Sequence, residues 1–600
     1  MTAASPVRAK TGPFPTPGKM ASPVLASVGA LAAALALAGC IGLVQAGKQG
    51  ERAVLATAFF LLAVLLVVPA AYLLRRGRHS RPGTLGLSLL TACAVSLLGI
   101  YFFWVASYVT FPADMLIWSE GDFVNDILKF SIGYPIYSPQ INNNSMNYVP
   151  GAQLLTHLIA LIAGKTWSIP TLRAIQLGYA AIAAFIAVLC CRKVLVLAFP
   201  ESRPGEGWLW NAFLFSTLLL IATNSITNHF AHNLHADSLA EVANVSAFYL
   251  LLRYIEARSR GVLAAMAVMV TVGFFIRQNV LLWGLCYGGF LLFWDSWKRL
   301  AVFAAAAAAL YGAAIAGAFA VWGQPFYYWV FFVLTKHAFS PLRSFQHGLD
   351  AWTYFAALML GAAAVLRGRN AGPLLGAWLA CLTVFASETF TSGWGWMLNH
   401  MGPGSLLSGI WFFAGLASVW HLATESGKPW SLENWVRAGA LTATVALMAN
   451  GLGLMRIPLR PIPDDAYRYV RDIEAQFQGV PATRVLLDLG TWPYIKDKAI
   501  VGDRAASIGD RGYAGTGDFS GLLSRIASKH YSKILVHGYH SFDFVYDYFL
   551  FPKPTGIRQA LLDNYRETGA IRAVEGNPYL KDWAEDPFYF GEISILEPKP

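Results

Sequence analysis

The chain has 600 residues, of which 56% are hydrophobic and only 13% charged. Soluble domains average about 25% charged residues, so this composition, with a mean hydropathy of +0.48, excludes an ordinary soluble protein and points to a membrane one. The net charge of +11 is no nucleic-acid signature: residues 457–600 carry 17 Lys and Arg against 19 Asp and Glu, and the first 456 carry 28 against 15, an excess that sits in short loops and reads as topology.

A spanning helix needs about 20 mainly apolar residues. In chain order such stretches fall at 23–46, 52–74, 84–108, 171–191, 208–224, 236–256, 261–276, 279–294, 300–322, 350–366, 371–388, 403–422 and 435–453. Residues 261–294 also read as one broken helix, and 151–164 as a further span. The expected fold is an α-helical polytopic membrane protein of about 13 transmembrane helices with a small C-terminal α/β extracytoplasmic domain. All six cysteines lie in apolar segments and read as small buried side chains, not as disulfides or a metal site. "LAGC" at 37–40 fits a lipoprotein processing box, but the apolar run continues past Cys40 and suits an ordinary first span better.

Basic residues orient these spans. With residues 1–22 in the cytoplasm, inner loops take 19 of the 28 basic residues, Arg75, Arg76, Arg78 and Arg81 among them; the opposite orientation leaves nine. The membrane domain is then 23–456, and the tail 457–600 lies outside the plasma membrane. Three sizeable outer loops follow: 109–170, 323–349 ("WGQPFYYWVFF") and 388–402 ("ETFTSGWGWMLNHMG"), the aromatic ones lying along the membrane interface. After the linker "RIPLRPIPDD", the tail alternates a helical stretch over 465–478, the β-rich runs "TRVLLDL" and "SKILVHG", and a helix over 519–529 between them, which suggests a small α/β domain. "GDRGYAGTGD" reads as a plain loop.

Ionisable groups at a membrane boundary are candidates for function. The first outer loop opens with Glu120 and Asp122 in "WSEGDFVNDILKF". A carboxylate held there can take a proton from a hydroxyl nucleophile, although both acids also suit the N-terminus of a helix. In "NHFAHNLHADSLAEV", His229, His232 and His235 recur every three residues before Asp237. Metal binding, substrate contacts and structural hydrogen bonds are all open to that spacing. In "FFIRQNVLL", Arg277 and Gln278 interrupt an apolar run, and a guanidinium suits phosphate because it donates paired hydrogen bonds and keeps its proton. In "GWGWMLNHMGPG", Trp394, Trp396, Asn399 and His400 combine indole faces with polar groups, a set that fits a sugar ring but also an aromatic belt.

All four features fall on the outer side. They supply a base, a phosphate-binding cation and sugar contacts, the set needed to move a sugar from a polyprenyl-phosphate donor to an acceptor hydroxyl. The pattern resembles the membrane glycosyltransferases of the C superfold, as in the protein O-mannosyltransferase and lipid A aminoarabinose transferase families. The resemblance covers about residues 84–456 and rests on the acidic motif in a long first loop, on Tyr148, Pro150 and Gly151 before a segment with Arg173, and on a soluble domain after the last span. Glu120-Gly121-Asp122 stands where those families carry an adjacent Asp-Glu pair, and two additional spans precede the acidic loop. The resemblance implies Asp122 or Glu120 as catalytic base. Arg277, Gln278 and Arg173 would contact the donor phosphate, and Tyr148, His235, Asp237, Asn399, His400 and Trp396 the sugar or acceptor. The sequence fixes no cofactor: the loop acids could hold a divalent cation that helps the phosphate leave, and Arg277 offers charge for the same purpose. The partners are a lipid-linked sugar, the bilayer and a glycan, lipid or protein acceptor, with no nucleic acid. The tail is expected to help select the acceptor. Competing readings are a transporter or flippase, which should show internal repeats with broken helices, and a non-catalytic assembly component.

Overall fold

The long apolar stretches in the middle of the chain form helices. A computed structural model describes residues 82–116, 120–137, 144–145, 148–202, 204–223, 234–336, 339–393, 398–425, 462, 464–504, 518–541, 546, 555–574 and 591–600. The expected spans 23–46, 52–74 and 435–453 lie outside these residues. The chain divides into two compact units, 1–93 with 422–450 and 94–421 with 451–600. The described residues of the first are 82–93 and 422–425, and the rest of the described structure lies in the second.

The helices are α1 (Pro82–Thr110), α2 (Glu120–Ile132), α3 (Gly151–Ile162), α4 (Ile169–Ala198), α5 (Trp208–Ala222), α6 (Asp237–Ala257), α7 (Arg260–Ile276), α8 (Leu282–Trp294), α9 (Trp297–Tyr327), α10 (Pro341–Asp350), α11 (Trp352–Val365), α12 (Ala371–Thr391) and α13 (Gly402–Glu425). Among the described residues, Ile169–Ala198, Trp297–Val333, Ala371–Thr391 and Gly402–His421 are long and apolar enough to cross a membrane; α10 and α11, bent by 57°, make a fifth if taken as one span. The protein is a polytopic, mostly helical membrane protein with a small sheet.

The start of α4 is written locally. Ser168 Oγ accepts the Thr171 N–H at 3.4 Å, and Pro170 occupies the first turn, where its missing N–H costs nothing. Along α4, Ala180, Ala183, Ala184 and Ala187 are buried as one stripe, and α6 packs on α4 with its own Ala240, Ala243 and Ala247 buried. Small residues let two backbones approach closely where the bilayer gives no hydrophobic drive for helices to associate.

Two loop expectations change. Residues 151–164 do not form a further span: α3 has 12 residues, about 18 Å of helix, well short of the roughly 30 Å hydrocarbon core. One face of it exposes Leu154, Leu155, Leu158, Leu161 and Ile162. Residues 323–333 do not form an open loop. Gly323 takes a left-handed φ of 62° that no β-carbon tolerates well, α9 kinks there, and a π-helix follows over Tyr328–Val333. Phe326, Trp329, Val330 and Val333 then bury against Ile136, Tyr137 and Val149.

The C-terminal segment contributes α14 (Asp464–Ala475), β1 (Val485–Leu487), α15 (Ser520–Ala527), β2 (Lys533–His537), α16 (Ile557–Asn564), β3 (Tyr565–Ile571) and β4 (Ile593–Pro598). The sheet order is β1-β2-β4-β3, with β1 parallel to β2 and the other pairs antiparallel. β1 is an apolar run and β2 is apolar over Ile534–Val536, and these residues are buried. One core unites this segment with the first long loop: Phe111, Met115, Phe123 and Ile127 pack with Tyr469, Val485, Trp492 and Ile593.

Candidate active site

Glu120 and Asp122 both occupy the first turn of α2, where the helix dipole favours acids, yet their surroundings differ. Glu120 is sealed. Its Oε1 accepts Arg173 Nε at 2.7 Å and its Oε2 accepts Arg173 Nη2 at 2.8 Å and the Leu116 N–H at 3.1 Å. The remaining Arg173 donors go to backbone carbonyls: Nη1 to Tyr108 at 3.0 Å and Phe111 at 2.5 Å, Nη2 to Ala113 at 2.5 Å. All five N–H groups are used inside the protein, so Arg173 has none left for a donor phosphate, and Glu120 sits too deep to meet an acceptor hydroxyl. The pair is a clamp that fixes the first loop to α4.

Asp122 stays 17% exposed and belongs to a charged row along α2. Arg504, from the C-terminal segment, donates through Nε to Asp122 Oδ1 at 2.6 Å and through Nη1 to Asp126 Oδ1 at 2.7 Å. Lys129 donates to Asp126 Oδ1 at 2.7 Å and to the Asn144 carbonyl at 2.7 Å. Burial, opposed by Asp126, brings the Lys129 ammonium down to about 8. Two carboxylates thus face two cations, and a divalent ion would have to displace one of them. Among the described residues no group of three or more His, Cys, Asp or Glu is arranged to hold a metal; His229 and His232 lie outside them.

A second polar cluster gathers at the ends of α6, α7, α12 and α13. Arg277, extended at the end of α7, donates through Nη1 to Asp237 Oδ1 and through Nη2 to His400 Nδ1 at 3.2 Å. His235 pairs with the other Asp237 oxygen. Burial, and then the Arg277 charge, push His400 down to about 3, so it is neutral and accepts at Nδ1. Glu388 caps α13 by accepting the Gly404 N–H at 2.8 Å, while its Oε1, like Gln278 Nε2 and Asn279 Oδ1, is buried with no hydrogen-bond partner among the described residues.

The two clusters touch. Phe123, next to Asp122, meets the His235 ring edge-on with centroids 4.7 Å apart and stacks on Tyr148 at 5.6 Å. Gly151 brings α3 against the end of α7: a β-carbon there would lie 2.3 Å from the Phe275 carbonyl oxygen. Among the described residues, a path from Asp122 to Arg277 runs through Phe123, His235 and Asp237. Of the remaining expected site residues, Trp396 and the Asn399 side chain lie outside the description. Sequence reasoning missed Asp126, Lys129, Glu388 and Arg504. The i, i+4 spacing of Asp122 and Asp126 was there to be read; nothing local signals Arg504.

A search of solved structures places this architecture. A crystal structure of ArnT from Cupriavidus metallidurans bound to undecaprenyl phosphate superposes with a TM-score of 0.52 at 10% identity, over 84% of this chain and 98% of that one. The apo ArnT structure gives a TM-score of 0.50 at 12% identity, over 84% and 97%. The chain shares the fold of these ArnT structures. On that fold it carries an acid on the first long loop and an Arg at the end of α7, joined by the contacts above. No family model matches the sequence, and no curated protein matches it either.

Proposed function

We propose that this protein is a glycosyltransferase that moves a sugar from a polyprenyl-phosphate donor to an acceptor hydroxyl at the outer face of the plasma membrane. The observation that carries the reading is the short path of side chains from Asp122 to Arg277 through Phe123, His235 and Asp237. The undecaprenyl phosphate held by an ArnT structure of the same fold supports the lipid-phosphate part.

In this reading Asp122 takes the proton of the acceptor hydroxyl. The oxygen attacks the anomeric carbon, and the bond from that carbon to the phosphate oxygen breaks with its electron pair left on the phosphate. Arg277, which among the described residues engages two of its five donors, with Asp237 and His400, offers others to the leaving phosphate, and Gln278 adds an amide. Tyr148, His235, Asp237 and His400 contact the sugar or acceptor in this reading, and the sequence adds Asn399 and Trp396 to that set. The lipid tail runs beside the spans. The N-terminus is cytoplasmic, about 13 helices cross the bilayer, and residues 457–600 lie outside. The acceptor is a glycan, a lipid or a protein.

Mass spectrometry of envelope glycans from cells with and without the gene tests this. One glycan should lose one sugar in its absence and regain it on complementation. Unchanged glycans, with a polar solute or lipid redistributed across the membrane, would favour a transporter.

A further inference from the structure

Arg504 lies 382 residues from Asp122 in sequence, yet it joins the charged row of α2. Its side chain is 4% exposed, and its fork spans the carboxylates of Asp122 and Asp126, which are neighbours one helical turn apart. The stretch that delivers it is fastened on both sides. Val501 N–H donates to Asn125 Oδ1 at 2.9 Å. Asp503 pairs with Arg525 and accepts the Tyr531 hydroxyl at 3.2 Å. Upstream, the Thr491 hydroxyl donates to the Gly121 carbonyl at 2.8 Å. A β-carbon on Gly121 would lie 2.9 Å from Gly490 Cα, so the C-terminal segment touches the first turn of α2 directly.

We propose that Arg504 is the positioning residue of Asp122, so that the C-terminal segment completes the transfer site in addition to any part in choosing the acceptor. The inference rests on the reading of Asp122 as the base. Among the described residues, the charged groups around that carboxylate are Arg504, Asp126 and Lys129, with the Asp503–Arg525 pair next along the C-terminal segment and His235 across Phe123. Without the guanidinium, two acids one turn apart lose the cation that bridges them. Their mutual repulsion then favours the protonated form to higher pH, and the Asp122 side chain loses the contact that fixes its rotamer. Lysine at 504 would restore charge but reach only one carboxylate at a time.

The test uses full-length protein in lipid nanodiscs added to membranes of a strain lacking the gene, which supply donor and acceptor. The initial rate of glycan formation is followed by mass spectrometry between about pH 5 and pH 9. Arg504→Gln should lower the rate about tenfold or more and move its acid limb up by about one pH unit or more, with binding of undecaprenyl phosphate unchanged. Arg504→Lys should give an intermediate rate with the limb near its wild-type position. A wild-type rate in Arg504→Gln overturns the inference, as does a lower rate with an unmoved limb and no rescue by lysine. If Arg504→Gln does not fold, Arg504→Lys decides: a lowered rate supports the inference and a wild-type rate ends it. Asp122→Asn runs in parallel. If it keeps full activity, the assignment of the base has failed; if it is inactive while Arg504→Gln is fully active, only the positioning role has failed.

Discussion

Arg173 and Glu120 meet through two parallel hydrogen bonds, Nε to Oε1 at 2.7 Å and Nη2 to Oε2 at 2.8 Å, with neither side chain exposed. The carbonyls of Tyr108 at the end of α1 and of Phe111 and Ala113 in the first loop complete the guanidinium's shell. A buried pair so enclosed is an anchor, and removing one member strands the other charge. Arg173→Met and Glu120→Gln should each destabilise the protein by about 3–5 kcal/mol, seen as lost monodisperse protein on size exclusion and a lowered Tm. Arg173→Lys should not rescue, because one ammonium cannot serve two carboxylate oxygens and three carbonyls. A well-folded Arg173→Met protein that had lost only lipid-phosphate affinity would return Arg173 to the binding site.

In the proposed mechanism Asp122 is the base, and it is the more exposed of the two acids. Asp122→Asn should reduce transfer about 10²–10⁴-fold, the range that general-base catalysis contributes, while Tm and undecaprenyl phosphate binding stay near wild type. Glycan turnover and nanodisc binding on the same preparation separate the two readouts. Parallel loss of binding and folding would mean that the Arg504–Asp122 pair is a fastening only.

Much of this fold was legible. The apolar runs that became α4, α12 and α13 and the strands "VLL" and "KILVH" could be read from hydrophobic pattern alone. The site was legible in its parts and illegible in its pairings. An Arg in an apolar helix looks the same whether its acceptors are a ligand's phosphate oxygens or the carbonyls of a loop 60 to 65 residues away, and Arg173 proved to be the second kind. "WGQPFYYWVFF" carries a Gly and a Pro that read as helix breakers. The chain absorbs both in one kink at Gly323 and continues helically, because the aromatic residues beyond have a core to fill. Arg504 sits in a Gly- and Asp-rich stretch typical of a surface loop, and only tertiary contact brings it to α2.

Arg277 is the cation with donors to spare. Arg277→Ala should weaken undecaprenyl phosphate binding by about 1.5–3 kcal/mol, the worth of hydrogen bonds to a charged group, or roughly tenfold to a hundredfold in Kd. Arg277→Lys should recover part of this through charge alone. Because Asp237 holds the guanidinium, Asp237→Asn should disturb the site through Arg277 and His235 together, and a double substitution at 237 and 277 should cost less than the sum of the singles. Additive effects on Kd would show that the two residues act apart.

Asp114 gives the pH dependence a sign. It is buried between the first long loop and the C-terminal segment and accepts the N–H groups of Thr491, at 2.9 and 2.8 Å from its two oxygens, and of Trp492, at 3.0 Å. Burial first, and Glu120 second, push its carboxyl up to about 7, against those hydrogen bonds. A carboxyl whose folded value is raised favours the folded state when protonated. Its contribution is therefore complete below the unfolded value of about 4 and is lost as pH rises through about 7. Asparagine resembles the protonated acid and does not titrate. Wild type and Asp114→Asn should melt closest together below about pH 4, and the variant should be the more stable near about pH 8, as measured by Tm in the same detergent. A wild type that gains stability over the variant as pH rises through 7 would mean that the three N–H donors outweigh the cost of burying the charge.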